Sequence, residues 1–227
     1  MELSNRNQIC WLIIGLGCGF LLMGALRISS VYPNILTPLA GYATLGYLLI
    51  TVVFTVFLVR AELPINRFGF GVRPDLRQLL LTIAAIAILR VYAVILDPLI
   101  EDLLGSSRNL ERFSDVEGSV TSLIGILIMN WTLAAFGEEF AYRIVLMRGI
   151  LLIFHDTGKG QIIAVMIQTV IFGLIHAYQG PVGIIGSTFS GLVFGAVTIA
   201  GRWSIWPAAI AHGTNNTFGI LALYYGS

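Results

Sequence analysis

The residues of this chain that could do chemistry are few, and they sit among apolar neighbours. The stretch "FGEEFAYR", residues 136–143, sets Glu138, Glu139 and Arg143 side by side. Further on, "QTVIFGLIHA" carries Gln168, Phe172 and His176 at four-residue steps, and "AIAHGTNN" carries His212 and Asn216 four apart. Four-residue steps share one helix face. A carboxylate, two imidazoles and an amide are the parts of a hydrolytic site: a base for water, a group to hold it, and donors for the charge that develops on a carbonyl oxygen. Glu139 and Arg143, with the acid N-terminal, stand in the favoured order for a helical ion pair. Pairing softens the cost of burying both. Glu138 lies about 100° round the helix and has no obvious local counter-charge. His155, in "FHDTGKG", reads as a solvated loop residue.

Composition dictates the surroundings of these residues. Of the 227 residues 57% are apolar and 11% charged, against about a quarter charged in an ordinary soluble domain. Such a chain cannot present a solvated surface, so lipid must be its outer solvent and the lipid bilayer its first partner. A formal net charge of +1 gives no reason to expect nucleic acid. Cys10 and Cys18 fall in the first apolar run and read as buried thiols, not a disulfide. That run is long and lacks a small-residue exit, so it reads as a retained span.

A spanning helix needs about 20 apolar residues. Runs at 9–26, 39–59, 78–96, 160–178, 182–200 and 204–222 meet that length approximately. The region 119–154 is too long for one crossing, and Gly137 suggests a break into 119–136 and 138–154. The expectation is an all-α, polytopic membrane bundle of about eight transmembrane helices, one domain over 1–227, with the chemical motifs in 130–220. Arg60, Arg67, Arg73 and Arg77 mark their loop as cytoplasmic, which with eight crossings puts both termini there too. Trp203 and Trp206 at one end of the last span, with Tyr224 and Tyr225 at the other, read as interfacial belts. Gly183, Ser187, Gly191 and Gly195 form a small-residue stripe for close helix packing.

In order, "EEFAYR", "FGLIH" and "HGTNN" fit E-E-x-x-x-R, F-x-x-x-H and H-x-x-x-N. Across the C-terminal ~90 residues they resemble the CPBP family of intramembrane proteases, which includes type II CAAX prenyl endopeptidases and bacteriocin-processing or immunity proteins. The N-terminal ~115 residues are similar only in being apolar spans. The resemblance implies an endopeptidase, expected in a prokaryotic cell membrane, whose site opens to the cytoplasm. Its substrate would be a membrane-associated or lipidated protein or peptide. It implies that Glu138 activates water, His176 helps hold it, and His212 with Asn216 donates to the oxyanion. Glu139, Arg143 and Phe172 would shape the site. No cofactor is required by this reading. Zinc is the alternative, with Glu138, His176 and His212 as ligands, although no H-E-x-x-H helix is present. Two rivals compete with proteolysis. A transporter would line its path with Glu138, Arg143 and Arg90, but no repeated half-architecture is evident. A non-catalytic scaffold or immunity protein would have no need of the full set.

Overall fold

The structure, a computed structural model, describes residues 3–30, 32, 34–60, 69 and 74–226, with backbone alone for 3–10, 12, 40, 58 and 59. Seven long helical rods account for most of these residues: α1 (Leu3–Ser29), α2 (Ala43–Arg60), α3 (Leu76–Leu104), α4 (Val120–Phe154), α5 (Gly158–Leu174), α6 (Gly180–Ala200) and α7 (Trp206–Tyr225). No strand occurs among the described residues, so the all-α expectation stands. By length and composition α3, α4 and the rod ending in α6 are long and apolar enough to cross a membrane. Local chemistry sets the helix starts. Asp75 caps α3 by accepting from the Gln78 amide at 2.9 Å, and Thr157 caps α5 by accepting from the Gly160 amide at 3.1 Å. Pro181 and Pro207 open α6 and α7, where a missing N–H costs nothing.

The expected break at Gly137 is absent. Residues 120–154 run as one rod, and its middle winds into π-helix over Asn130–Glu138 and Phe140–Leu146. Such wide turns collect at functional sites. As an α-helix, 35 residues would reach about 52 Å, beyond a ~30 Å hydrocarbon core, so this rod must tilt or project.

The unbroken rod changes the sidedness. At one end of the bundle, Gln78 donates to the Gly201 carbonyl at 2.7 Å, Arg202 pairs with Asp75 at 3.6 Å, and the Ile205 amide donates to the Gly69 carbonyl at 3.2 Å. Arg60 and Arg77 belong to this basic end; Arg67 and Arg73 lie outside the described residues. At the opposite end, the Gly118 amide donates to the Tyr224 carbonyl at 3.1 Å and the Asn109 amide to the Gln179 carbonyl at 2.9 Å. With seven alternating rods, α1 starts at the basic end and α7 finishes at the other, so the two termini do not share a side. Trp203 is half-buried beneath the Arg148 guanidinium, 4.2 Å from its ring centre, and Trp206 packs edge-on to Phe136.

The small-residue stripe does the packing expected of it. Gly191 lies against Phe172 and Thr169 of α5, and Gly195 against Gln168 and Val165. A second close approach was not foreseen: Gly24 of α1 lies against Ile175, the residue before His176. A Cβ there would come within 2.9 Å of the Ile175 Cα, which is backbone and cannot rotate away. Gly24→Val is expected to lower stability by about 1–3 kcal/mol through overpacking, read as a drop in Tm of the detergent-solubilised protein.

Candidate active site

Counting from the turn at 155–157 explains how the site assembles. Its first residue, His155, is exposed as expected and takes a left-handed φ of 63°. α4 and α5 leave this turn antiparallel. Glu138 lies sixteen residues before Phe154 and His176 eighteen after Gly158, so the two arrive at similar depth. A break in α4 is therefore not needed to bring them together.

The centre of the arrangement is an ion pair with no exposure at all. Arg143 Nε lies 2.9 Å from Glu139 Oε2, and Nη2 donates to Oε1 at 3.2 Å. The opposite edge of the guanidinium, through Nη1, donates to Gln168 Oε1 at 2.6 Å. Gln168 Nε2 then donates to the Gly191 carbonyl at 2.9 Å. Phe172 covers Arg143, its ring centre 4.6 Å from the guanidinium carbon. A charge buried to this degree survives only when it is paired and its donors are used.

Each histidine is fixed through one ring nitrogen. His212 Nδ1 lies 2.8 Å from Glu139 Oε1, and His176 Nδ1 lies 2.7 Å from the Phe172 carbonyl oxygen. Carbonyl and carboxylate oxygens only accept, so in both rings Nδ1 carries the hydrogen. Nε2 is left for the site, the same logic by which second partners orient working histidines elsewhere. Phe194 stacks on His212 with ring centres 4.9 Å apart, and Phe172 lies 4.8 Å from His176. Asn130 Nδ2 donates to the Gly213 carbonyl at 2.9 Å, which pins α7 against α4 beside His212. The turn before α7 is drawn inward, with Ser204 and Ile205 fully buried. That is how His212, near the start of α7, reaches mid-bundle without any break in the helix. Asn216 follows one turn later on the same face, half-buried.

Glu138 is the second acid of the pair and is almost fully buried. His176, His212 and Arg143 are near enough to act on its charge. The counter-charge that α4 itself does not offer comes from α1: Arg27 Nη1 lies 3.5 Å from Glu138 Oε1. Tyr47 and Tyr142, whose rings pack with Phe20, have buried hydroxyls with no hydrogen-bond partner among the described residues. Arg27, Gln168 and these tyrosines are the residues that sequence reasoning missed or left without a role. Arg27 ends the first apolar run and looks there like any interfacial arginine. Gln168 had been placed on the right face, and its spacing was the only signal available.

The zinc alternative meets a geometric obstacle. It requires Glu138, His176 and His212 to converge on one ion. Among the described residues, no group of three or more His, Cys, Asp or Glu side chains is placed to hold a metal. Glu138 is engaged by Arg27, and the carboxylate nearest His212 is Glu139, itself committed to Arg143. The ligand set is not assembled among the described residues.

Beside Glu138 a polar cavity opens at the end opposite the basic loop, lined by Arg27, Ser30, Gly41, Thr44 and Arg112.

An all-helical bundle with rods long and apolar enough to cross a membrane defines the class: an integral membrane protein. Residues 120–218 match the family model described as type II CAAX prenyl endopeptidase, Rce1-like. That segment holds every motif on which the resemblance rested. Comparison with curated proteins and with solved structures gave no match.

Arg143→Met removes one partner of the buried pair and strands the Glu139 carboxylate. The expected loss is about 3–5 kcal/mol, seen as a collapse of Tm or of folded yield in detergent. Gln168→Leu, which leaves the pair intact, is expected to cost less.

Proposed function

We propose that the chain is an intramembrane endopeptidase in which Glu138 makes water a nucleophile. The observation that supports this reading is the fixing of both imidazoles through Nδ1 near a buried carboxylate, which leaves Nε2 of each for other partners. A water there would give one hydrogen to Glu138 and the other to His176 Nε2, which in this tautomer accepts. Its lone pair is then free to attack a peptide carbonyl. Glu138 takes the proton as the oxygen–carbon bond forms, and later returns it to the leaving amine nitrogen as the carbon–nitrogen bond breaks.

The carbonyl oxygen gains negative charge in that step and needs donors that are already in place. Asn216 would offer its amide. His212 donates from Nε2 when both ring nitrogens carry hydrogen, and the Glu139 carboxylate at Nδ1 supports the positive charge that this requires. Glu139 and Arg143 would thus act through His212, not on the substrate. The substrate is a protein or peptide bound at the membrane.

The test is Glu138→Gln, which keeps the shape and removes the base. Membrane proteomes of cells making the parent protein are compared with those making the variant, scored for new C-termini. Termini present only with the parent are expected, and identical patterns would end the proteolysis reading. With a substrate so identified, Glu138→Gln is expected to lower kcat about 10²–10⁴-fold and, by leaving Arg27 without its acid, to lower Tm as well, whereas Asn216→Ala is expected to lower kcat about 10²–10³-fold with Tm nearly unchanged.

A further inference from the structure

Arg90 is a cation that the candidate site does not use: it lies outside both the Glu139–Arg143 network and the Arg27–Glu138 pair. It is fourteen residues from each end of α3, about 21 Å at 1.5 Å per residue. It therefore sits at the midpoint of a rod long and apolar enough to cross a membrane. The neighbours on α3 show which way it faces. Ala85 and Leu89 are buried in one cluster with Ala208 and Ala211 of α7, while Val91 and Val94 are exposed. Arg90 stands at the border of these two faces and is partly exposed. Its guanidinium carbon lies 4.9 Å from the ring centre of Phe218, which is itself exposed on α7. An aromatic face attracts the charge but leaves the N–H donors without an acceptor. Among the described residues Arg90 has no ion-pair partner, and its side chain makes no hydrogen bond.

A guanidinium without acceptors is costly at mid-membrane. In a ~30 Å hydrocarbon core, about 15 Å of acyl chain separates it from either headgroup layer, farther than an arginine side chain snorkels. We propose that Arg90 and Phe218 form a docking point for a transmembrane helix of another protein, one that carries an Asp or Glu side chain at mid-span. A carboxylate at that depth is as poorly solvated as the guanidinium, so pairing relieves both. An arginine whose plane is fixed on a ring presents its edge for two-point contact with such a carboxylate. A second copy of this chain offers no acid at this level. Asp97, Glu138 and Glu139 are already paired with Arg108, Arg27 and Arg143, and Glu101 and Asp102 lie within a turn of the end of α3. The docked helix lies along α3 and α7, the latter being the rod that carries His212 and Asn216. This contact does not depend on what Glu138 does.

The test uses the full-length protein reconstituted in phosphatidylcholine vesicles at mildly alkaline pH. The probe is a synthetic single-span Leu/Ala helix with lysines at both ends, a dansyl group and one central Glu. Control helices carry Gln at the centre, or Glu displaced two turns towards one end. Energy transfer from the protein's tryptophans to the dansyl group reads binding. The central-Glu helix is expected to bind about tenfold tighter than either control, or more, the scale of a charge-assisted hydrogen bond. Arg90→Met is expected to erase that preference, and Arg90→Lys to keep part of it. Removing an unpaired cation from the span is also expected to hold or raise Tm in detergent. A clear fall in Tm with Arg90→Met would mean that the guanidinium is satisfied within the bundle, and overturns the proposal. So does equal binding of the Glu and Gln helices, or a preference that survives Arg90→Met. Arg90-dependent retention of phosphatidylglycerol without any preference for Glu would mark a lipid headgroup contact, and Arg90-dependent dimerisation without it an interface between copies. Either result overturns the proposal as well.

Discussion

The buried Glu139–Arg143 pair is the constraint on which the other contacts depend. Its two charges have no exposure, so protein alone must compensate them. Gln168 from α5 accepts from Arg143 and donates to the Gly191 carbonyl of α6, and His212 from α7 meets the Glu139 carboxylate. Four rods are thereby locked in mutual register around one ion pair. In lipid there is little hydrophobic drive between helices, and polar contacts and close packing must hold them together. The network meets both needs, because the glycines of α6 allow α5 to come near enough for Gln168 to reach.

Much of the site was legible in the sequence because its residues recur at helical spacing. Glu139 with Arg143, Phe172 with His176, and Gln168 below them on one face were all expected as neighbours, and they are neighbours. The fold class followed from composition, since a chain so poor in charge has only helices or closed barrels available in lipid. What could not be read was the winding of α4. A glycine after a long apolar run suggests a break, yet local signals do not distinguish a break from π-helical turns. That one choice altered the number of rods and the relative placement of the termini.

The π-helical middle of α4 has a direct chemical effect. On a regular helix, adjacent residues point about 100° apart, and Glu138 and Glu139 would address different surroundings by accident of sequence. Here both are buried, with Ala141 through Met147 also enclosed. The two acids are divided by partner. Glu139 is neutralised by Arg143 and steadies a histidine, while Glu138 meets Arg27 and the open cavity. Two chemically identical side chains thus acquire separate tasks from their neighbours alone.

Arg27 belongs to α1, far outside the stretch over which the family likeness extends. The likeness therefore describes only part of a working unit. Whatever leading helices accompany such a segment must present a cation at this depth, or the acid it faces must be neutral or differently housed. Grafting residues 120–218 onto a foreign set of leading helices would leave Glu138 without its ion-pair partner, and the helix that reads as a simple anchor is in that sense half of the site's wiring.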